Sequence, residues 1–176
     1  MTFLDVRNII IKRLSEHLGI PVVLSGQVSP VPDFPFGYYS VVTPYAPTGQ
    51  QGAYSASAGD GGTSIATVRA EQPYATFSFT FCSINRDDGE GGYIFGEDEA
   101  QGYAEQAQGF FLHGAYMELS NLGIVTAEVS NAADRTTLAV DEAASRCGFD
   151  VRVRYTRTDC RSDPTVDSVG VHMKKE

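Results

Sequence analysis

The sequence predicts an α+β fold, in which a mostly antiparallel sheet carries two helices on one of its faces. Residues 3–18 and 97–122 repeat apolar side chains with the period of an amphipathic helix. Shorter segments alternate apolar and polar residues, which is typical of half-buried strands. The predicted order is helix, two strands, loop, strand, helix and two further strands, and this grouping indicates an α+β layer.

The first helix is predicted over residues 3–18. Its apolar stripe repeats every four residues and consists of Val6, Ile10, Leu14 and Leu18. Gly19 and Pro21 follow directly and give a strong stop signal, because glycine favours the left-handed helix end and proline cannot continue the helix.

Residues 30–44 contain prolines that favour an extended backbone, since each fixes φ and moves its predecessor out of the helical region. This proline segment lies between strands predicted at 21–25 and 38–43. Its aromatic residues, Phe34 and Phe36, are expected to lie on a surface.

The chain is predicted to form one domain over residues 1–158, because 176 residues are compatible with a single hydrophobic core. Residues 45–65 are rich in glycine, serine and alanine, and we expect a flexible loop there. Residues 159–176 are expected to form a polar C-terminal tail.

Three further segments have the pattern of strands. In residues 74–84 the inward positions are predicted to be Ala75, Phe77, Phe79 and Phe81, and this strand is expected to be central. A strand follows at 124–129. In the last predicted strand, at 148–155, we expect Phe149, Val151, Val153 and Tyr155 inward and Asp150, Arg152 and Arg154 outward.

The second helix is predicted over residues 97–122, with Gly123 as its stop. The acidic residues of its first turn, Glu97, Asp98 and Glu99, interact favourably with the positive end of the helix dipole. Its expected buried stripe is Tyr103, Ala107, Phe110, Phe111, Gly114 and Met117.

Charge and cysteine content exclude several function classes. The formal net charge of −9 and pI near 4.7 argue against tight nucleic-acid binding. Cys82, Cys147 and Cys160 have no paired spacing, so neither a zinc site nor a disulfide framework is predicted. No signal peptide or apolar run long enough to span a membrane is recognisable, and we expect synthesis in a reducing cytoplasm.

No catalytic or metal-binding constellation is recognisable, and the sequence predicts neither an enzyme nor a cofactor. Asp87, Asp88 and Glu90 resemble a calcium loop only loosely, because Glu90 occupies the position that requires glycine. The three histidines are not spaced as ligands, and no serine has a nucleophile-elbow context. We therefore predict no metal-binding, cofactor-binding or catalytic residues.

Contact residues are predicted instead. Tyr45 and Tyr54 lie in the first glycine-rich stretch, and Tyr93 and Phe95 lie in the second, where aromatic side chains on adaptable loops are typical of partner interfaces. The alternative is that they pack back on their own core. The outward Arg152 and Arg154 could protect a sheet edge or pair with acids of a neighbour.

Two stretches resemble the neck or tail terminator proteins of tailed bacteriophages. The first runs from the strand Pro21-Val-Val-Leu-Ser25 through the proline segment to Pro44. The second combines Asp134-Arg-Thr-Thr137 with Arg146-Cys-Gly-Phe-Asp-Val-Arg-Val-Arg-Tyr155. With the two helices in the expected order, the resemblance spans roughly residues 3–157.

The resemblance implies a structural virion protein at the head–tail junction. Such a subunit closes into a ring, typically a hexamer, that caps the tail tube, ends its polymerisation and gives the head a docking surface. The implied partners are other copies, the tail tube protein and a head-completion or connector protein. A strongly acidic ring would let genomic DNA pass without adhesion, and Asp87, Asp88 and Glu90 are the candidates for lining the lumen.

Three alternatives stay open from the sequence. Within the virion, the chain could be a head-completion or connector protein, or a tail tube subunit. It could be a soluble ligand- or peptide-binding domain in which the proline segment and Tyr38–Tyr39 frame a pocket. It could also be a hydrolase whose acid pairs come together only on folding.

Overall fold

The computed structural model describes residues 1–27, 30–49, 51–59, 63–137 and 144–165. It contains α-helices, one π-helical turn and strands in mostly antiparallel sheets, so the predicted α+β class is confirmed. The helices are α1 (Phe3–Leu18), α2 (Gly96–Gly109) and α3 (Tyr116–Asn121), with the π turn at Phe110–Gly114. The strands are β1 (Val22–Leu24), β2 (Phe36–Ala46), β3 (Ala53–Ala58), β4 (Ser64–Glu71), β5 (Tyr74–Ile84), β6 (Arg86–Asp87), β7 (Tyr93–Ile94), β8 (Ile124–Val129), β9 (Ala133–Asp134), β10 (Ala144–Tyr155) and β11 (Arg157–Pro164).

The main sheet has the strand order β1-β2-β5-β10-β8, with the short β9 also paired to β10. Only β1 and β2 pair in parallel among these strands, and the other pairs are antiparallel. The predicted central strand is confirmed, because β5 lies between β2 and β10.

The core lies between the inner face of the main sheet and the helices. The four predicted inward residues of β5 are fully buried, as is the stripe of α1 apart from a small exposed fraction of Leu18. Residues of α1, α2 and β10 belong to the same apolar cluster, so both predicted helices cover one face. Each fully buried phenylalanine contributes about 1.5–3 kcal/mol of transfer free energy.

The first helix begins and ends where the sequence predicts. Thr2 caps it, since its hydroxyl accepts the backbone N–H of Asp5 while the Asp5 carboxylate accepts the backbone N–H of Thr2. Gly19 ends it with a left-handed φ of 68°, a conformation that glycine adopts without a steric cost.

The second predicted helix is interrupted, and part of its predicted stripe is wrong. The π turn adds one residue, with the N–H of Ala115 donating to the carbonyl of Phe110 five positions earlier. Beyond this turn, the positions that face the core therefore lie one residue later in the chain than a continuous α-helix would place them. Ala115 and Leu119 are buried, whereas the predicted Gly114 and Met117 are exposed.

Residues 45–65 are not one loop, because β3 and the first residues of β4 lie within them. A second sheet has the order β11-β4-β3, and its strands continue those of the main sheet. β2 leads into β3, β4 leads into β5, and β10 leads into β11. The sequence did not predict these strands, because they lack the alternation of apolar and polar residues that a buried face produces. They are stabilised by backbone pairing with neighbouring strands and not by a buried face.

We call the sheet formed by β3, β4 and β11 the arm. Its eight-residue strands extend about 27 Å at the usual rise of about 3.4 Å per residue. All six residues of β3 are exposed, and Glu71 is the only fully buried residue within the three strands. No helix of the described residues covers either face of the arm.

The C-terminal tail is predicted to begin at residue 159, but this position lies inside β11. Its first residues are paired with β4, from Arg157 opposite Glu71 to Pro164 opposite Ser64. Residues 166–176 lie outside the described residues. The division into one domain and a tail stays a prediction.

The proline segment ends at a buried position on the outer face of the main sheet, opposite the helical core, rather than on an exposed surface. Phe36 starts β2, pairs opposite Cys82 of β5 and is buried, because the strand continues further toward the N-terminus than the sequence predicts. Phe34 packs against the Phe36 ring with centroids 5.3 Å apart. In the described part of the chain, no helix is long and apolar enough to span a bilayer.

Candidate assembly interface

A polar cluster lies on the outer face of the main sheet, opposite the helices. The guanidinium of Arg135 donates to the Ser78 hydroxyl at 2.7 Å, the Thr80 hydroxyl at 3.1 Å and the Asp150 carboxylate at 2.8 Å. Ser78 also donates to Asp150 at 2.6 Å. Arg135 thus ties the segment after β9 to the two central strands.

Gly148 permits this close crossing. A Cβ at this position would overlap the Phe79 carbonyl oxygen and lie 3.0 Å from the Arg135 Cδ. The hydrogen bond from Ser78, together with that from Arg135, holds the pKa of Asp150 below its usual range. Both parts of the second stretch that resembles terminator proteins, Asp134-Arg and Gly-Phe-Asp150, therefore meet in one cluster.

Arg152 and Arg154 lie on the same outer face, but they do not protect an edge. That interpretation is wrong because β10 is paired on both sides, to β5 and β8. The Arg152 guanidinium lies over the Tyr74 ring, 4.1 Å from its centroid. Within the described residues neither arginine forms an ion pair, so both cations are available to a partner.

Tyr45 and Tyr54 have different environments. The Tyr45 hydroxyl donates to the Glu71 carboxylate at 2.9 Å, and the Arg157 guanidinium lies over its ring. Tyr45 therefore packs on its own chain, at the base of the arm. Tyr54 is 61% exposed on β3 and is the freer contact residue of the two.

Glu71 is a buried carboxylate that the sequence does not reveal. Its side chain is 3% exposed and is paired with Arg69 and, at 3.8 Å, with Arg157. Both arginines also contact Asp159 at 3.1 Å. This network stabilises the base of the arm, and it is invisible in the sequence because β4 and β11 are about 90 residues apart.

The strands β6 and β7 form a short hairpin that presents the other two predicted aromatics. Tyr93 and Phe95 are 56% and 58% exposed, and their rings contact each other edge to face at 5.2 Å. Asn85 anchors the base of the hairpin by accepting the backbone N–H of Gly96 at 2.8 Å. The pair is an exposed aromatic surface of the kind that partner contacts use.

The three candidate lumen acids lie at or near the turn of this hairpin and are exposed. Asp88 accepts the backbone N–H groups of Glu90 and Gly92, both at 2.8 Å, and these bonds lower its pKa. Asp87 accepts the N–H of Gly89 at 2.8 Å. Glu90 has no such structural role in the described contacts and is the freest of the three.

The predicted pocket between the proline segment and two tyrosines forms only in part. Tyr38 lines a small cleft with Pro30, Pro32 and Leu24. Tyr39 instead is buried in the core, where its ring packs against Phe77 and Phe79.

Residues 1–27, 30–49, 51–59, 63–137 and 144–165 contain no group of three metal-ligating side chains. The described surface instead carries exposed aromatic, cationic and acidic side chains. The chain belongs to the phage neck terminator protein family, whose model matches residues 8–176. No curated protein matches the chain.

Proposed function

We propose that this protein closes into a ring at the end of the phage tail tube, where it ends tube polymerisation and gives the head a docking surface. The observation that carries this proposal is the family match across nearly the whole chain. The outer sheet face and the arm support it, because no helix among the described residues packs on the outer sheet face or on either face of the three-stranded arm.

Within the ring, Arg152 and Arg154 pair with carboxylates of the neighbouring copy. Their lack of carboxylate partners among the described residues supports this role. The neighbour supplies the opposite charge, because each copy carries a net charge of −9. Tyr93 and Phe95 then present an aromatic contact for the tail tube or connector protein.

The acids of the β6–β7 hairpin line the lumen and keep DNA from adhering. A test should leave Asp88 in place, because it accepts two backbone N–H groups of the turn whereas Asp87 accepts one, and should substitute Asp87→Lys and Glu90→Lys together. Slower DNA ejection from particles is expected. Glu105→Lys, which changes the charge of an exposed position on α2, is the control. Unchanged ejection would exclude the hairpin from the lumen.

Two experiments test the function as a whole. Native mass measurement and negative-stain imaging of the purified protein should give closed rings, whereas long tubes would instead identify a tail tube subunit. Phage lacking the protein should have tails of uncontrolled length or unjoined heads and tails. Normal tails and infectious particles in its absence would refute the proposal.

A further inference from the structure

The two faces of the arm differ sharply in chemistry. One face, which continues the core side of the main sheet, carries every charged residue of the three strands: Arg69, Glu71, Arg157, Asp159, Arg161 and Asp163. The opposite face has no charged residue. We call it the uncharged face, and its nine central residues are Ala53, Ser55, Ser57, Ala66, Val68, Ala70, Thr158, Cys160 and Ser162.

The charges of the arm are satisfied within the arm. Its three arginines balance its three carboxylates, and the ion pairs include Arg69–Asp159 at 3.1 Å and Arg161–Asp163 at 2.8 Å. The arm is therefore neutral in a chain of net charge −9. Because acidic copies repel one another, this neutral surface is a place where a second copy can approach closely.

The outer edge of the arm is also open to pairing. β3 is an edge strand, and its sequence Ala-Tyr-Ser-Ala-Ser-Ala has no charge, proline or bulge. Such features usually protect an edge from pairing with another chain. At the other edge, β11 has four charged residues and ends in Pro164, so only the β3 side is unprotected.

The uncharged face continues into a cleft at the junction of the arm and the main sheet. Ala53 and Ala70 of the arm line this cleft, together with Tyr74 and Arg154 of the outer sheet face, and its volume is about 590 Å³. Arg154 has no ion pair within the described residues. Glu71 also lines the cleft, but its carboxylate is already paired with Arg69 and Arg157, so Arg154 is the cation that can meet an acidic group of a neighbour.

We propose that the arm docks through its uncharged face on a neighbouring copy of this chain. The inference rests on the proposed ring and names the segment that links its subunits. The strands lie about 4.8 Å apart, and β4 and β11 are about 27 Å long whereas the six-residue β3 is about 20 Å long, so they give a flat contact of about 350 Å². This is less than half of the roughly 800 Å² that each partner buries in a standard interface, so the arm supplements contacts between the subunit bodies.

The test places charge on either face of one strand. Ser55→Glu combined with Ser57→Glu should raise the protein concentration needed for half-assembly about tenfold or more, because carboxylates then meet an acidic neighbour. Ala56→Glu, on the other face of β3, is the matched control and should assemble normally. Melting temperatures of the dilute subunits should match wild type, since all three positions are exposed.

Cys160 gives a second measurement that needs no substitution. It is exposed on the uncharged face, whereas Cys82 is buried and burial raises the pKa of the Cys147 thiol. Maleimide should therefore label Cys160 rapidly in the separated subunit and slowly in the ring. Peptide mass analysis distinguishes the three thiols.

The outcomes separate this inference from the proposed function. If wild-type protein forms no ring, the proposed function fails. If rings form but Ser55→Glu/Ser57→Glu leaves assembly unchanged and Cys160 is labelled equally fast in both states, the arm inference alone is overturned. Equal impairment by Ala56→Glu would also overturn it. Normal rings of the double variant that no longer bind the tail tube protein would assign the arm to that partner instead.

Discussion

Arg86 holds Glu99 with two hydrogen bonds of 2.7 and 2.8 Å, and this pair joins the β6–β7 hairpin to the first turn of α2. Ser83 also donates to Glu99, so the carboxylate has three donors while being only 20% exposed. Gly96 allows the close approach, since a Cβ there would lie 2.7 Å from the backbone of Ile84. The aromatic hairpin is therefore a fixed part of the surface.

A double-mutant cycle of Arg86→Ala and Glu99→Gln should give a coupling free energy of about 1–2 kcal/mol, because the pair is bidentate and partly buried. Urea denaturation of the four proteins measures it. The exposed Arg161–Asp163 pair is the control and should couple by less than about 0.5 kcal/mol. Similar coupling for both pairs would show that Arg86–Glu99 behaves as an ordinary surface pair.

Stability should fall as the pH is lowered below the usual range of carboxyl titration. Hydrogen bonds from Arg86 to Glu99, and from Ser78 to Asp150, lower the pKa of both groups in the folded state. Their contribution is thus complete above the unfolded-state pKa values, which are about 4, and is lost as the pH falls through the folded-state values. Melting temperatures from pH 7 to pH 2.5 measure this loss.

Asp150→Asn tests which group is responsible. Its melting temperature should decline less steeply with acid than that of wild type, because one carboxylate with a lowered pKa is removed. An unchanged slope would mean that Asp150 contributes nothing to acid sensitivity. The exposed Glu105→Gln variant should keep the wild-type slope.

Two glycine-to-alanine substitutions should have opposite effects. Gly148→Ala should destabilise the protein by about 2–4 kcal/mol, since the added Cβ overlaps the backbone of β5 and displaces Arg135. Gly102→Ala, in the middle of α2 with no atom within 4 Å of the added Cβ, should stabilise it by about 0.5–1 kcal/mol. Chemical denaturation measures both. A neutral Gly148→Ala would contradict the tight crossing.

Two apolar residues that follow the π turn test its effect, because the turn places Leu119 in the core and Met117 on the surface. Leu119→Ala should cost about 2–5 kcal/mol, because Leu119 is 1% exposed in the core. Met117→Ala should change the free energy of unfolding by less than about 0.5 kcal/mol, because Met117 is 68% exposed. A continuous α-helix would give the opposite ranking.

The exposed aromatic pair should matter for assembly but little for folding. Tyr93→Ala combined with Phe95→Ala is expected to shift the melting temperature by only a few degrees, since both rings are more than half exposed. Head–tail joining in a complementation assay should fall. Leu112→Ala, at a similarly exposed apolar position, is the control. Equal effects of both variants would remove any special role of the hairpin.

Local pattern predicted most of the subunit body. The bounds of α1, β5 and β8 follow from apolar periodicity and stop residues, because burial against one core sets a period of 3.6 in helices and 2 in strands. The predicted inward residues of β5 and β10 are buried for the same reason.

Contacts between segments that are distant in the sequence could not be predicted from local apolar patterns. Arg135 meets Asp150, and Glu71 meets Arg157, only because strand pairing brings them together. The one-residue phase shift after Phe111 depends on how the π turn packs. β3, β4 and β11 bury almost no side chains, so they carry no apolar period, and each continues a strand of the main sheet. Pairing between remote strands, which no local period encodes, thus created the arm and arranged the polar outer face.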